Sequence, residues 1–213
     1  NVHCMARAES IFYTTPETNN SNFLFFHIGR GIHCTHMYHD DLYGKQNLKI
    51  GEVGHIIVRP DGEQCECGKR GCLQTYASEA WLIRKAKLLY DNVPDTSLRR
   101  LVQNKEEIEL STLLTAYELG DEMVVKLISS AIKSIGIAIT NLNMIIDSER
   151  VFIHGKLFQS EQTIALLKNY INFEPKLFTL PSKQELIIKP YSPYTGAIGA
   201  AALSVYRFLL HME

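Results

Sequence analysis

The sequence of 213 residues predicts an α/β domain, and three observations carry that reading. Val151-Phe152-Ile153-His154-Gly155 and Leu186-Ile187-Ile188-Lys189 are compact apolar runs that read as buried strands, with a helical pattern at 162–171 between them. That order is the signature of a βαβ unit in an α/β sheet. Residues 23–28 and 32–38 form a second pair of strand-like runs, rich in Phe and Ile and separated only by Gly29-Arg30-Gly31, so a hairpin is expected. Residues 111–119 and 122–146 show helical periodicity, interrupted once at Gly120-Asp121.

Taken in order, residues 2–12 suit a short helix, and the polar, proline-bearing stretch 14–21 suits a loop. The hairpin follows and closes on a turn at His39-Asp40-Asp41. Ser78 is placed to cap a helix that runs to about Tyr90, with Trp81, Leu82, Ala86, Leu88 and Leu89 along one side. Beyond Pro94 a charged segment of low hydrophobicity extends to Glu109. The long helix after Gly120 has an apolar middle, 124–138, that is expected to be buried. Lys126, Ser129, Ser130, Lys133 and Ser134 interrupt it, which fits a core or a subunit interface rather than a membrane span. The last helix, 195–210, opens on Gly196-Ala197-Ile198-Gly199-Ala200-Ala201-Ala202, whose small side chains let another backbone pack close.

With 46% hydrophobic residues the chain can bury a substantial core, and a single domain is expected. The formal net charge is −1 and no cluster of Lys or Arg is long enough to follow a phosphate backbone, which argues against nucleic-acid binding by these residues alone. The absence of a leader-like N-terminus and of a run of about 18 apolar residues, with few cysteines, predicts a cytoplasmic protein with reduced thiols.

The strongest chemical signal lies between residues 51 and 72. His55, Cys65, Cys67 and Cys72 bring one imidazole and three thiols together at a spacing that suits a tetrahedral zinc site, closed and therefore structural. Disulfide pairing is the competing chemistry. A Cys65–Cys67 bridge across one residue is strained, and pairing either with Cys72 strands the other. Gly68 and Gly71 allow the backbone to fold around a metal. Lys69-Arg70 would offset the charge of three thiolates around the ion. Cys4 and Cys34 read as small buried side chains. Histidines 27, 33, 36, 39 and 154 read as core or surface residues rather than a second metal site.

Gly51-Glu52-x-Gly54-His55, Cys65-x-Cys67-Gly68-x-x-Gly71-Cys72-Leu73 and Ser78 together resemble the signature of the ROK family of bacterial repressors and sugar kinases. The resemblance extends through Leu142-Asn143 to Gly196-x-x-Gly199-Ala200-Ala201, and is greatest to the xylose-repressor-like regulators. It implies an actin-like, ribonuclease H-like fold, of which this chain resembles the C-terminal lobe only. The helix-turn-helix and first lobe of the repressor branch are not among residues 1–213.

The resemblance also implies roles. Glu52 and His55 would face pyranose hydroxyls, with His55 giving one ring nitrogen to zinc and the other N–H to the sugar. Gln74 stands where the family pattern has a third contact, a Glu. Catalysis is not expected. Asn1 occupies the position of the kinases' general-base Asp, and an amide cannot take a proton from a hydroxyl. His33 and Thr35 add bulk where the glycine loop would meet phosphates, and His154-Gly155-Lys156 keeps one of the glycines of the adenosine-side turn. The expected function is a truncated, zinc-stabilised sugar-effector and homodimerisation lobe of a transcriptional regulator, with DNA recognition left to a part outside this chain. A sugar kinase lobe is the alternative, and a structural remnant that senses nothing is a further one.

Overall fold

A computed structural model of the chain describes residues 2–13, 22–44, 46–47, 49–171 and 184–210. Its framework is one sheet of five strands, β1 (Asn22–Ile28), β2 (Ile32–Tyr38), β3 (Asp41–Leu42), β4 (Arg150–His154) and β5 (Glu185–Lys189), in the order β3-β2-β1-β4-β5. The expected hairpin is present as the antiparallel β1–β2 pair, with Ile28 opposite Ile32 across the glycine turn. His39 and Asp40, both at positive φ (49° and 61°), make the two-residue turn into β3. Asp41, expected in that turn, instead opens the short strand β3. β4 lies parallel to both β1 and β5, so the βαβ reading holds, with α7 (Glu161–Tyr170) in the crossover.

The apolar runs of β1 and β4 are continuous because both faces of the sheet are covered. Leu24, Phe26, Ile28, Val151 and Ile153 point into the larger core, while Phe23, Phe25 and Phe152 face a smaller one. β5 departs from expectation. It is the edge strand, and its side chains are half-buried or exposed rather than buried.

Helices α2 (Gln74–Ala77), α3 (Glu79–Asn92), α5 (Leu110–Glu118), α6 (Glu122–Asn143) and α7 pack together over the larger core. Ser78 caps α3 as expected, its hydroxyl accepting from the Trp81 N–H. Leu82 and Ala86 are buried but Leu88, expected on the same side, is 49% exposed. The charged segment before α5 contains the short helix α4 (Leu98–Leu101) and a 3-10 turn at Lys105–Glu107. Asp121 ties this region to α6: one carboxylate oxygen caps Met123 and Val124, and the other accepts from Thr96 Oγ1 and the Ser97 N–H. Hydrogen bonding holds the Asp121 carboxyl below its usual range against the opposing effect of burial. By length and composition α6 is apolar enough to cross a membrane, but Val124, Ile128, Ala131, Ile132, Ile135, Ala138 and Ile139 are buried in the protein's own core.

The second face of the sheet is covered by α1 (Val2–Phe12) and α8 (Thr195–Val205), which pack closely on each other. Gly199 is the contact point: a Cβ there would lie 2.8 Å from the Cys4 carbonyl carbon. The small-residue string thus does what its composition implies. Regular α-helix ends at Val205, and Tyr206–Leu210 continues as a π-helical turn. Cys34 is buried as expected, whereas Cys4 is only partly so, and all five thiols are free. The loop expected at 14–21 lies outside the described residues, as does Asn1.

Candidate metal centre and the adjoining cavity

Between β3 and α2 the chain has little regular structure, and specific backbone approaches hold it in place. Gly51, at φ +93°, accepts from the Cys34 N–H, and a Cβ on it would sit 2.2 Å from the Cys34 carbonyl oxygen. Only glycine lets this segment lie so close to β2. The 3-10 turn Val53–His55 follows and presents the His55 ring. Cys65, Cys67 and Cys72 come from a loop closed by Cys65 N–H to Lys69 O (2.8 Å), by Gly68 N–H to Cys65 O (3.0 Å) and by an Ile57–Cys72 bridge.

The four residues predicted to hold a metal do come together. Their ligand atoms all lie within 4.8 Å of one another. Cys65 Sγ is 3.5 Å from His55 Nδ1, and Cys67 Sγ is 3.6 Å from Cys72 Sγ. Ligands at about 2.3 Å (S) and about 2.0 Å (N) from a tetrahedral ion are separated by roughly 3.5–3.8 Å, so the spacing fits a metal held through Nδ1 and three sulfurs.

Burial pushes the Cys72 thiol up to about 12, reinforced by its two sulfur neighbours. The Lys69 N–H pulls the exposed Cys67 thiol down, helped by contacts with Cys65 and Cys72 and by the Lys69 charge. Lys69 Nζ donates to the His55 carbonyl at 2.8 Å, while Arg70 turns to Gln64.

Glu52 and Gln74 diverge. Glu52 lines an open cavity of about 260 Å³ with His3, His33, Cys34, Val2, Ile50 and Gly51. Its carboxylate lies 3.3 Å from His33 Nδ1. Gln74 is buried on the metal side instead, its amide donating to Glu66 Oε1 (2.8 Å) and reaching Cys65 Sγ (3.6 Å). The sequence alone does not mark His33 and His3 as neighbours of Glu52. The signal available was the hairpin register, which sets residue 33 on the strand that Gly51 docks against.

The other histidines gather no set of three metal-ligating groups among the described residues. His27 and His154 share a contact between their Nδ1 atoms at 3.0 Å, and His36 meets Asn22. Among the described residues His55 and the three cysteines form the one cluster with metal-ligand geometry. Gly155 packs against β1, where a Cβ would lie 2.3 Å from the Ile28 carbonyl oxygen.

A mixed sheet of this topology, covered on both faces and joined to a Cys₃His knuckle, has the α/β fold of the ROK proteins of known structure. The chain belongs to the ROK family, whose pattern it matches over residues 1–206. It is 25% identical to the DNA-binding transcriptional dual regulator NagC of Escherichia coli over 217 aligned positions, covering 99% of this chain and 50% of NagC. It is 29% identical to the xylose repressor of Caldicellulosiruptor bescii, covering 71% of this chain and 38% of the repressor. A ROK glucokinase from Streptomyces griseus, solved with glucose and AMPPNP, superposes with a TM-score of 0.75 at 21% identity, covering 95% of this chain and 65% of the glucokinase. The chain thus spans half or less of the length of these two regulators.

Proposed function

We propose that these residues form the effector-binding and dimerising lobe of a xylose-repressor-like ROK regulator, zinc-stabilised and without phosphotransfer activity of its own. The observation that carries the reading is the placement of Glu52: its carboxylate opens into a cavity of about 260 Å³ three residues from the metal-side His55. A metal on Nδ1 fixes the His55 tautomer and leaves Nε2–H free to donate to a hydroxyl. Zinc is the ion best suited to three thiolates and one imidazole, and in a closed shell its contribution is to fold the knuckle. DNA recognition falls to residues outside these 213, and the protein is expected to work in the cytoplasm. Gln74, bonded to Glu66 and Cys65, acts on the sugar through the metal shell rather than by direct contact.

Similarity to a glucokinase keeps a kinase lobe as the second reading. Against it stand the amide of Asn1, which the family resemblance places where the kinases have their general base, and His33 in the cavity wall. One experiment separates the readings: thermal unfolding of the zinc-loaded chain against pentoses, hexoses, N-acetylated and phosphorylated sugars, with ATP-dependent phosphorylation measured alongside. A ligand at about 100 times its Kd stabilises by roughly 2.7 kcal/mol, about 5–10 °C for a chain of this size. A selective shift, lost in Glu52→Gln and without phosphorylated product, supports the proposal. Turnover of the sugar would replace it with the kinase reading, and no shift with any sugar would leave a lobe that senses nothing.

A further inference from the structure

A second cavity, of about 360 Å³, lies between the knuckle and helices α3 and α6, lined by none of the metal ligands nor by Glu52. Its size is in the range of small-molecule sites. Leu88, Leu89, Met123 and Leu127 give it an apolar floor, and Leu88 and Met123 are 49% and 39% exposed. Tyr76 and Trp81 supply two aromatic rings.

The charge lining this cleft is one-sided. Arg59, Lys85 and Lys126 face it, against Glu63 alone, in a chain whose overall charge is −1. Arg59 is held in position: its guanidinium lies 4.4 Å over the Tyr76 ring and donates to Ser130 Oγ at 2.7 Å, leaving further N–H donors for a ligand. Lys85 is 2.7 Å from Glu63, and Lys126 is paired with Glu122, an exposed residue outside the cleft lining, which leaves Arg59 as the lining cation that no ion pair engages among the described residues.

We propose that this cleft is a second binding site, for a small organic anion carrying a flat apolar ring. The ring would lie against the leucines and Met123 beside Trp81, and the anion would meet Arg59 and Lys126. Flat rings gain from aromatic walls and anions from fixed guanidinium donors, so the two requirements fall on opposite parts of one ligand.

Trp81 is the only tryptophan in the sequence, so its emission reports this cleft directly. The zinc-loaded chain is titrated with 8-anilinonaphthalene-1-sulfonate and, in parallel, with N-phenyl-1-naphthylamine, the same ring system without the sulfonate. The sulfonate is expected to quench Trp81 saturably and to bind at least tenfold more tightly than the neutral analogue. Lys126→Glu, an exposed change, should remove most of that preference while leaving the emission of the free protein unaltered. Equal affinity for the two probes, probe fluorescence without quenching of Trp81, or indifference to Lys126→Glu would each overturn the proposal. So would a cleft closed to both probes in a dimer that Met123→Glu dissociates, which would assign this face to a second copy of the chain.

Discussion

The sheet and the knuckle fold by different means. In β1 and β4 nearly every side chain is buried, and what positions them is apolar contact on both faces. Between residues 51 and 72 few apolar side chains are buried. Position there is set by backbone approaches that only glycine permits and by four ligand atoms gathered within 4.8 Å. Hydrophobic burial is non-directional and tolerates small shifts, whereas a metal shell is directional and does not. The lobe thus joins a scaffold that is stable through area to a site that is precise through geometry, and Glu52 and His55 lie on the precise side.

If that division is right, the two regions should break differently. Phe26→Ala, at a side chain 1% exposed in the larger core, should cost about 3–5 kcal/mol and lower the midpoint of thermal unfolding of the whole lobe by roughly 6–20 °C, with metal content unchanged. Cys72→Ser should do the reverse. Metal analysis should fall well below one equivalent, and amide hydrogen exchange should accelerate across 51–78 while β1 and β4 stay protected. Exchange that accelerates equally in strands and knuckle after metal loss would mean that the two regions fold as one unit and that the division is wrong.

How much of each region was legible follows from the same contrast. Strands, hairpin, crossover and the main helices could be read because period and apolar runs are what packing on two faces requires. The edge position of β5 was not, since an apolar run does not say which neighbour is missing. The gathering of His55, Cys65, Cys67 and Cys72 was legible from spacing, because four donors of the right type in eighteen residues have few other uses. The surroundings of Glu52 were not, because His3 and His33 reach it from α1 and β2, and a cavity assembled from three distant segments has no local pattern. Gln74 shows the same limit: its place in sequence is close to the cysteines, but which way its amide turns is decided by Glu66 and Cys65.

Two glycines sharpen the comparison within the knuckle itself. Gly68 and Gly71 both sit at positive φ, +89° and +72°. A Cβ on Gly68 would meet nothing within 4 Å, whereas one on Gly71 would lie 1.6 Å from the Arg59 carbonyl oxygen. Gly68→Ala should therefore cost only the backbone conformation, about 1–2 kcal/mol, and keep the metal. Gly71→Ala must disturb the hydrogen bonds that the Val58 and Arg59 N–H groups donate to the Gly71 carbonyl, and should lower metal affinity as well as stability. Competition with a chromogenic chelator measures the first, and thermal unfolding the second. Equal behaviour of the two variants would show that the close approach at Arg59 relaxes freely.

The smallest expected effect lies on the sheet side. Burial, helped by the neighbouring His154, lowers His27 from its ordinary value to about 4, and burial lowers His154 as well. A depressed folded-state value means that the unfolded chain takes up the proton first. The contribution to stability is thus present in full above about pH 6.5 and is lost as pH falls from there toward 4. Zinc release on acidification would confound this in the intact site, so the comparison is made on chelated protein. The double variant His27→Phe with His154→Phe keeps the ring stack beside Phe25 and removes both titrations. Its unfolding midpoint in denaturant should fall less between pH 7 and 5 than that of the parent, by a difference on the order of 1 kcal/mol after allowing for partial exposure. Parallel curves would mean that the pair is already solvated in the folded state, and that acid acts on the protein through other groups, among them His3 and His36, which burial also lowers.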